Sequence, residues 1–131
     1  MSEIKYVPVS EVMKSNIKKV DGLTNVKEAI DLMREGRTGS LIIDKRDKRD
    51  EYGLVSIGDL AATIVARDLA PERVSVYEIM SKPVLSVESD MNIRYAIRLI
   101  TRFKISRALV LKDGSAVGIV SLRDMVLRYS M

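Results

Sequence analysis

The sequence predicts a mixed fold, α+β or α/β, made of two β-α-β-β-α repeats, and three observations carry that prediction. Val9-Ser10-Glu11-Val12-Met13 returns as Val76-Tyr77-Glu78-Ile79-Met80. Val26, Ala29, Ile30 and Met33 return as Ile93, Ala96, Ile97 and Ile100, at the same offset of 67 residues. Gly53-Leu54-Val55-Ser56-Ile57-Gly58-Asp59 returns as Gly118-Ile119-Val120-Ser121-Leu122-Arg123-Asp124, at an offset of 65. The two-residue difference falls in the loop after Asp44, where chain length costs little. Such self-similarity marks a repeated supersecondary unit that need not fold alone, and the seam between copies is a natural place for a site. The first repeat spans 1–68 with its core from about 9, 69–75 is a linker, and the second repeat spans 76–131.

Each element follows from a change in apolar period. Ile17 to Val20 and Val84 to Val87 read as short strands, the second entered through Pro83 at a sheet edge. The stripes Val26, Ala29, Ile30, Met33 and Ile93, Ala96, Ile97, Ile100 place apolar residues at i, i+3, i+4 and i+7, the signature of a helix with one buried face. Asn25 followed by Glu28 resembles a capping box at the start of the first of these helices. Leu41-Ile42-Ile43 and Ala108-Leu109-Val110-Leu111 read as buried strands. Tyr52 to Ser56 and Ala116 to Ser121 are their return strands, the second reached through Asp113-Gly114, a tight-turn pair. A helix opens after Ser56 and runs to about Asp68, and another opens after Ser121 and runs to the chain end at Met131. Ser75 and Glu78 form an S-x-x-E box opening a short helix that ends near Met80. A small sheet with helices on one side has a face to spare, so two copies are expected to pack on each other.

Composition excludes more than it assigns. At 131 residues, 47% of them hydrophobic, the chain can bury a core, and with 5% aromatics and no Trp that core must be Ile, Leu, Val, Ala and Met. No run approaches the ~18 apolar residues of a membrane span, and no signal-peptide pattern opens the chain, so a cytoplasmic protein is expected. The absence of Cys and His removes disulfides, thiolate chemistry, and the usual general base and zinc ligand. Enzyme activity is not expected, because no cluster of carboxylate, Lys or Tyr side chains is arranged for it. A net charge of +4 and a pI near 9.4 suit an anionic partner without identifying one. The densest charge run, Lys45 to Glu51, mixes signs and reads as a solvated loop. Nucleic-acid binding is not expected, since the sequence is read as lacking a basic stripe with interleaved aromatics. Met33, with Met13 and Met80, reads as core.

Two pairs of residues carry candidate chemistry: Ser56 with Asp59, and Ser121 with Asp124. Each sits where a strand passes into a helix, in the frame Gly-x-x-Ser-x-x-Asp. A helix start offers backbone N–H groups and a partial positive charge to phosphate. A Ser hydroxyl adds a donor, and a carboxylate accepts two hydrogen bonds from a ribose diol. The same residue types are also ordinary helix caps, so the residues alone leave both roles open.

Together, Glu-Val-Met and Glu-Ile-Met at each start, Glu28-Ala29 and Tyr95-Ala96 in the apolar helices, Gly39-Ser40-Leu41-Ile42-Ile43-Asp44, and the two Gly-x-Val-Ser-x-x-Asp endings resemble the CBS domain, the motif named after cystathionine β-synthase. The resemblance covers about Val9 to Tyr129, and CBS domains almost always occur as tandem pairs. It implies two repeats packed with pseudo-twofold symmetry, with clefts that bind adenosyl ligands such as AMP, ADP, ATP or S-adenosylmethionine. By that analogy Asp59 and Asp124 each hold a ribose, Ser56 and Ser121 approach phosphate, and the backbone near Ile17 and Val84 reads the adenine edge. Arg107 stands where the AMP-activated kinase γ subunit, a CBS protein, carries a phosphate-binding Arg, and the first repeat has Ser40 there. Arg123 lies inside the second Ser-x-x-Asp frame, where the first has Gly58. Two arginines supply planar, permanently charged forks for phosphate, which favours the Asp124 site. The resemblance further implies a non-catalytic regulatory module with no obligatory cofactor, a homodimer, acting on a separate partner protein or as a stand-alone sensor. The alternative is an assembly module without a small-molecule ligand, in which Asp59 and Asp124 serve only as caps.

Overall fold

A computed structural model of the chain describes residues 5–81 and 84–130. The first repeat forms β1 (Lys19–Val20), α1 (Val26–Gly36), β2 (Ser40–Ile43), β3 (Gly53–Ser56) and α2 (Ile57–Leu60). The second forms β4 (Ser86–Glu88), α3 (Ile93–Arg102), β5 (Arg107–Lys112), β6 (Ser115–Ser121) and α4 (Leu122–Tyr129). Each repeat gives a three-stranded sheet, β1-β2-β3 and β4-β5-β6. The first pair in each is parallel and the second antiparallel. A parallel pair needs a long crossover, and α1 and α3 supply it.

The apolar stripes bury as their spacing requires. Val26, Ala29 and Met33 lie in one core with Leu41, Ile43, Val55 and Ile64, and Ile93, Ala96 and Ile100 lie in the other with Ala108, Val110, Val120 and Met125. Met33 is core, and Met13 and Met80 pack against the two cores half-buried. Asn25 caps α1, its Oδ1 accepting from Glu28 N at 2.9 Å. In the short 3-10 turn Val76–Glu78, Glu78 Oε2 accepts from Ser75 N at 2.7 Å. The charged loop 45–51 is mostly exposed, except that the Asp50 side chain is inside and accepts from Arg46 N at 2.8 Å.

Two details depart from expectation. β1 and β4 start at residues 19 and 86, later than 17 and 84, although Lys18 O accepts from Ile42 N at 3.2 Å and Leu85 O from Leu109 N at 3.0 Å. The helix expected to run to Asp68 changes character after Leu60, continuing as a π-helical turn over Ala61–Val65 and ending at Asp68, whose φ is +52°. Here Thr63 Oγ donates to Asp59 O at 2.5 Å. A hydroxyl that bonds the carbonyl four residues back competes with the helical ladder there. Pro83 and Met131 lie outside the described residues.

The compact units do not follow the sequence repeats. One comprises 16–84 and the other 5–15 with 85–130. The lead-in of each repeat therefore packs on the sheet of the other: Val9 lies in the core with Ile93 and Ile100, and Val76 in the core with Val26. The bridges that hold these lead-ins obey the repeat offsets. Pro8 pairs with Asn92 and Ser75 with Asn25, while Lys14 pairs with Ile119 and Ser81 with Leu54.

The hairpin between β5 and β6 turns on Asp113 and Gly114, with φ of +51° and +81°. Positive φ at both central residues is the two-residue turn that matches strand twist, and only Gly adopts it without steric cost. Gly114→Ala is expected to lower stability by about 1 kcal/mol, read from the urea midpoint, even though the added methyl meets nothing within 4 Å.

Candidate functional site

Strand direction decides which residues meet. β2 starts at Ser40 and the antiparallel β3 ends at Ser56, so these two are register partners at one end of the sheet. In the other unit the partners are Arg107 and Ser121. Each helix start is also tied to its sheet, Ile57 N donating to Gly39 O at 2.9 Å and Leu122 N to Ser106 O at 2.8 Å. Together, the strand starts, the end of the return strand and the first helical turn form one polar pole per unit. Ile17, half-buried, precedes β1 at the first pole. Val84, half-buried, is the last residue of the 16–84 unit and adjoins Leu85, which pairs with β5.

The two poles use the same motif differently. At the first, Ser56 Oγ accepts from Asp59 N at 3.2 Å, and Asp59 Oδ2 accepts from Ser56 N at 2.9 Å and from Ser56 Oγ at 3.0 Å. This reciprocal cap turns the carboxylate back on its own helix and uses the hydroxyl as donor and acceptor. At the second, Ser121 Oγ accepts from Asp124 N at 3.1 Å and, among the described residues, makes no further hydrogen bond. The Asp124 carboxylate instead lies 3.8 Å from Arg123 Nη1, with about a third of its side chain exposed. Arg123 itself is 81% exposed, and Arg107 is half-buried.

The second pole thus presents a carboxylate, a hydroxyl with its hydrogen to give, and two guanidinium-bearing residues. The first presents a closed cap, with Ser40 buried where the second has Arg107. In both, two of the first helical N–H groups already have protein acceptors. Side chains, more than the helix terminus, are therefore what an anion meets. The features missed in the sequence were Gly39 and Ser106, whose carbonyls anchor the two helix starts. Their equivalence at the offset of 67 was the available signal. Among the described residues no group of three Asp or Glu side chains is placed to hold a metal ion, and no helix is long and apolar enough to cross a membrane.

The CBS-domain sequence profile matches residues 9–66 and 76–130. The chain belongs to the CBS-domain family. Its two CBS repeats make it a tandem CBS chain, a form known in regulatory modules. It is 30% identical over 124 residues to an uncharacterised protein of Methanopyrus kandleri, covering 94% of this chain and 63% of that protein's length. Among solved structures it is similar to a hexameric CBS-CP12 protein from bloom-forming cyanobacteria, with TM-score 0.88 and 31% identity over 94% of this chain and 68% of the other. The fold is also that of a CBS domain protein from Pyrobaculum aerophilum complexed with AMP, with TM-score 0.79 and 22% identity over 95% of this chain and 98% of the other.

Proposed function

We propose that this tandem CBS chain is a non-catalytic regulatory module that binds an adenosyl ligand at the Asp124 pole and signals to a partner protein. The observation that carries the proposal is the divergence of the two poles. Duplication gave both the same cap, yet only the second keeps its carboxylate and hydroxyl off each other and adds Arg107 opposite Ser121 in the strand register. In this reading Asp124 accepts from the ribose hydroxyls, Ser121 donates to phosphate, and Arg107 and Arg123 supply positive charge. Asp59, Ser56 and Ile17 form a second, weaker pole whose closed cap favours a structural role. The AMP-bound neighbour of the same fold supports an adenine nucleotide as the ligand class. The working assembly is a homodimer.

The test is thermal unfolding of the full chain against AMP, ADP, ATP, S-adenosylmethionine and NAD. A ligand present at 100 times its Kd adds about 2.7 kcal/mol, which is roughly 10 °C for a chain of this size. A shift with one adenosyl compound is expected. No shift with any of them, in a cooperatively unfolding protein, overturns the proposal in favour of a ligand-free assembly module.

A further inference from the structure

The 16–84 unit carries a second polar cluster, at the end of its sheet away from the pole. There β2 leaves the sheet through Asp44 and Lys45, and β3 enters it from Tyr52. Lys19 is the register partner of Ile42, and Ile42 of Leu54. Side chains alternate along a strand, so Lys19, Ile42, Leu54 and Tyr52 share one face. Lys19 Nζ lies 5.6 Å and Lys45 Nζ 4.8 Å from the centroid of the Tyr52 ring. Tyr52 is only 9% exposed, yet its hydroxyl has no hydrogen-bond partner among the described residues. No fully buried side-chain oxygen there goes unsatisfied, so the Tyr52 oxygen reaches the surface with a proton to give.

One ammonium over an aromatic ring is ordinary cation–π packing. Two that converge on the same ring repel each other, and nothing nearby offsets them. Among the described residues neither Lys19 nor Lys45 makes an ion pair. The adjoining acids do not serve: Asp44 Oδ1 accepts from Lys45 N at 2.9 Å, and Glu51 is exposed without an ion pair. The other loop carboxylates are engaged within the loop, Asp50 with Arg46 N at 2.8 Å and Asp47 with Arg49 N at 2.8 Å. The duplicate unit has Ser86, Lys112 and Val117 at the equivalent positions, hence one ammonium and no ring. A folding requirement common to both repeats therefore does not account for the cluster.

We propose that Lys19, Lys45 and the Tyr52 hydroxyl form a binding site for a phosphate group, separate from the Asp124 pole and independent of the adenosyl reading. A phosphate dianion neutralises both ammonium groups. Its tetrahedral oxygens accept from donors that approach in different directions, here two Nζ and one phenolic oxygen. A carboxylate carries a single charge on two coplanar oxygens and leaves one ammonium unmatched. The phosphate is either the free inorganic anion or the phosphoryl group of a partner protein.

The test is a titration of the full chain with sodium phosphate at constant ionic strength, followed by the amide NMR signals of Lys19, Lys45 and Tyr52. These signals are expected to move together and saturate with one Kd. Tyr52→Phe keeps the ring and both cation–π contacts, and should weaken phosphate severalfold. Lys19→Gln with Lys45→Gln should weaken it by about tenfold or more. Lys48→Gln with Arg49→Gln removes the same charge from the exposed part of the loop and should leave the Kd within about twofold. Sodium acetate should bind about tenfold more weakly than phosphate. A short phosphoserine peptide separates the two sources: tighter binding than inorganic phosphate assigns the group to a partner protein, and equal or weaker binding to the free anion. Four results overturn the proposal: shifts that do not saturate, an unchanged Kd in Tyr52→Phe, equal weakening by the loop variant, or tighter binding of acetate. In Asp124→Ala the same three signals should respond as in the wild type, so failure of the adenosyl site and failure of this one are read separately.

Discussion

Asp124→Ala is expected to abolish the stabilisation that AMP gives the wild-type chain, with little change in the stability of the unliganded protein. The Asp124 carboxylate contributes no reciprocal cap bond and faces Arg123 at 3.8 Å, so the fold loses little when it is removed. A carboxylate accepting two hydrogen bonds from a ribose diol is worth roughly 3 kcal/mol in binding, or about a hundredfold in Kd. Asp59→Ala should do the reverse. It removes the acceptor of two hydrogen bonds in the Ser56 cap and should cost about 1 kcal/mol of stability, while AMP still shifts the transition. Asp124→Asn separates charge from shape, and should retain part of the affinity because its amide oxygen still accepts. If Asp59→Ala removes the AMP response and Asp124→Ala does not, the roles assigned to the two poles are reversed.

Gly118→Ala is expected to destabilise the chain by about 2–3 kcal/mol, and Gly53→Ala, the equivalent change in the first repeat, by less than about 1 kcal/mol. A methyl at Gly118 would stand 2.6 Å from Lys14 O and 2.8 Å from Met13 Sδ. Lys14 O is not free to retreat, because it accepts from Ile119 N at 3.1 Å while Lys14 N donates to Ile119 O at 2.9 Å. Relieving the clash therefore breaks the bridge that seats the lead-in segment. At Gly53 the close neighbour is Met80 Sδ at 2.5 Å, the end of a flexible side chain, followed by Ile43 Cβ at 3.2 Å. Urea unfolding of both variants measures the contrast, and equal losses would show that the two lead-ins are not held in these different ways.

What the sequence made legible was local. The stripes ending at Met33 and Ile100, the buried runs at Leu41 and Ala108, and the Asp113-Gly114 turn each announce themselves by period or turn chemistry. The exchange of lead-ins was not legible, because no property of Val9 or Val76 says which sheet it covers. Gly118 held a clue, since a glycine inside a strand marks a close approach, here of the Lys14 carbonyl, whereas its equivalent Gly53 meets only the side chains of Met80 and Ile43. The divergence of the poles was half legible. Arg107 opposite Ser40, and Arg123 opposite Gly58, are plain in the alignment of the repeats. Whether a carboxylate folds back onto its cap is a rotamer choice that identical Ser-x-x-Asp frames do not reveal.

The most direct test of the central claim is calorimetric titration of AMP into the full chain and into the Asp124→Ala and Asp59→Ala variants. The expected result is a single AMP per chain for the wild type, the same for Asp59→Ala, and no measurable heat for Asp124→Ala. Two equivalent AMP per chain, or binding to Asp124→Ala indistinguishable from wild type, would contradict the assignment of the ligand to the Asp124 pole.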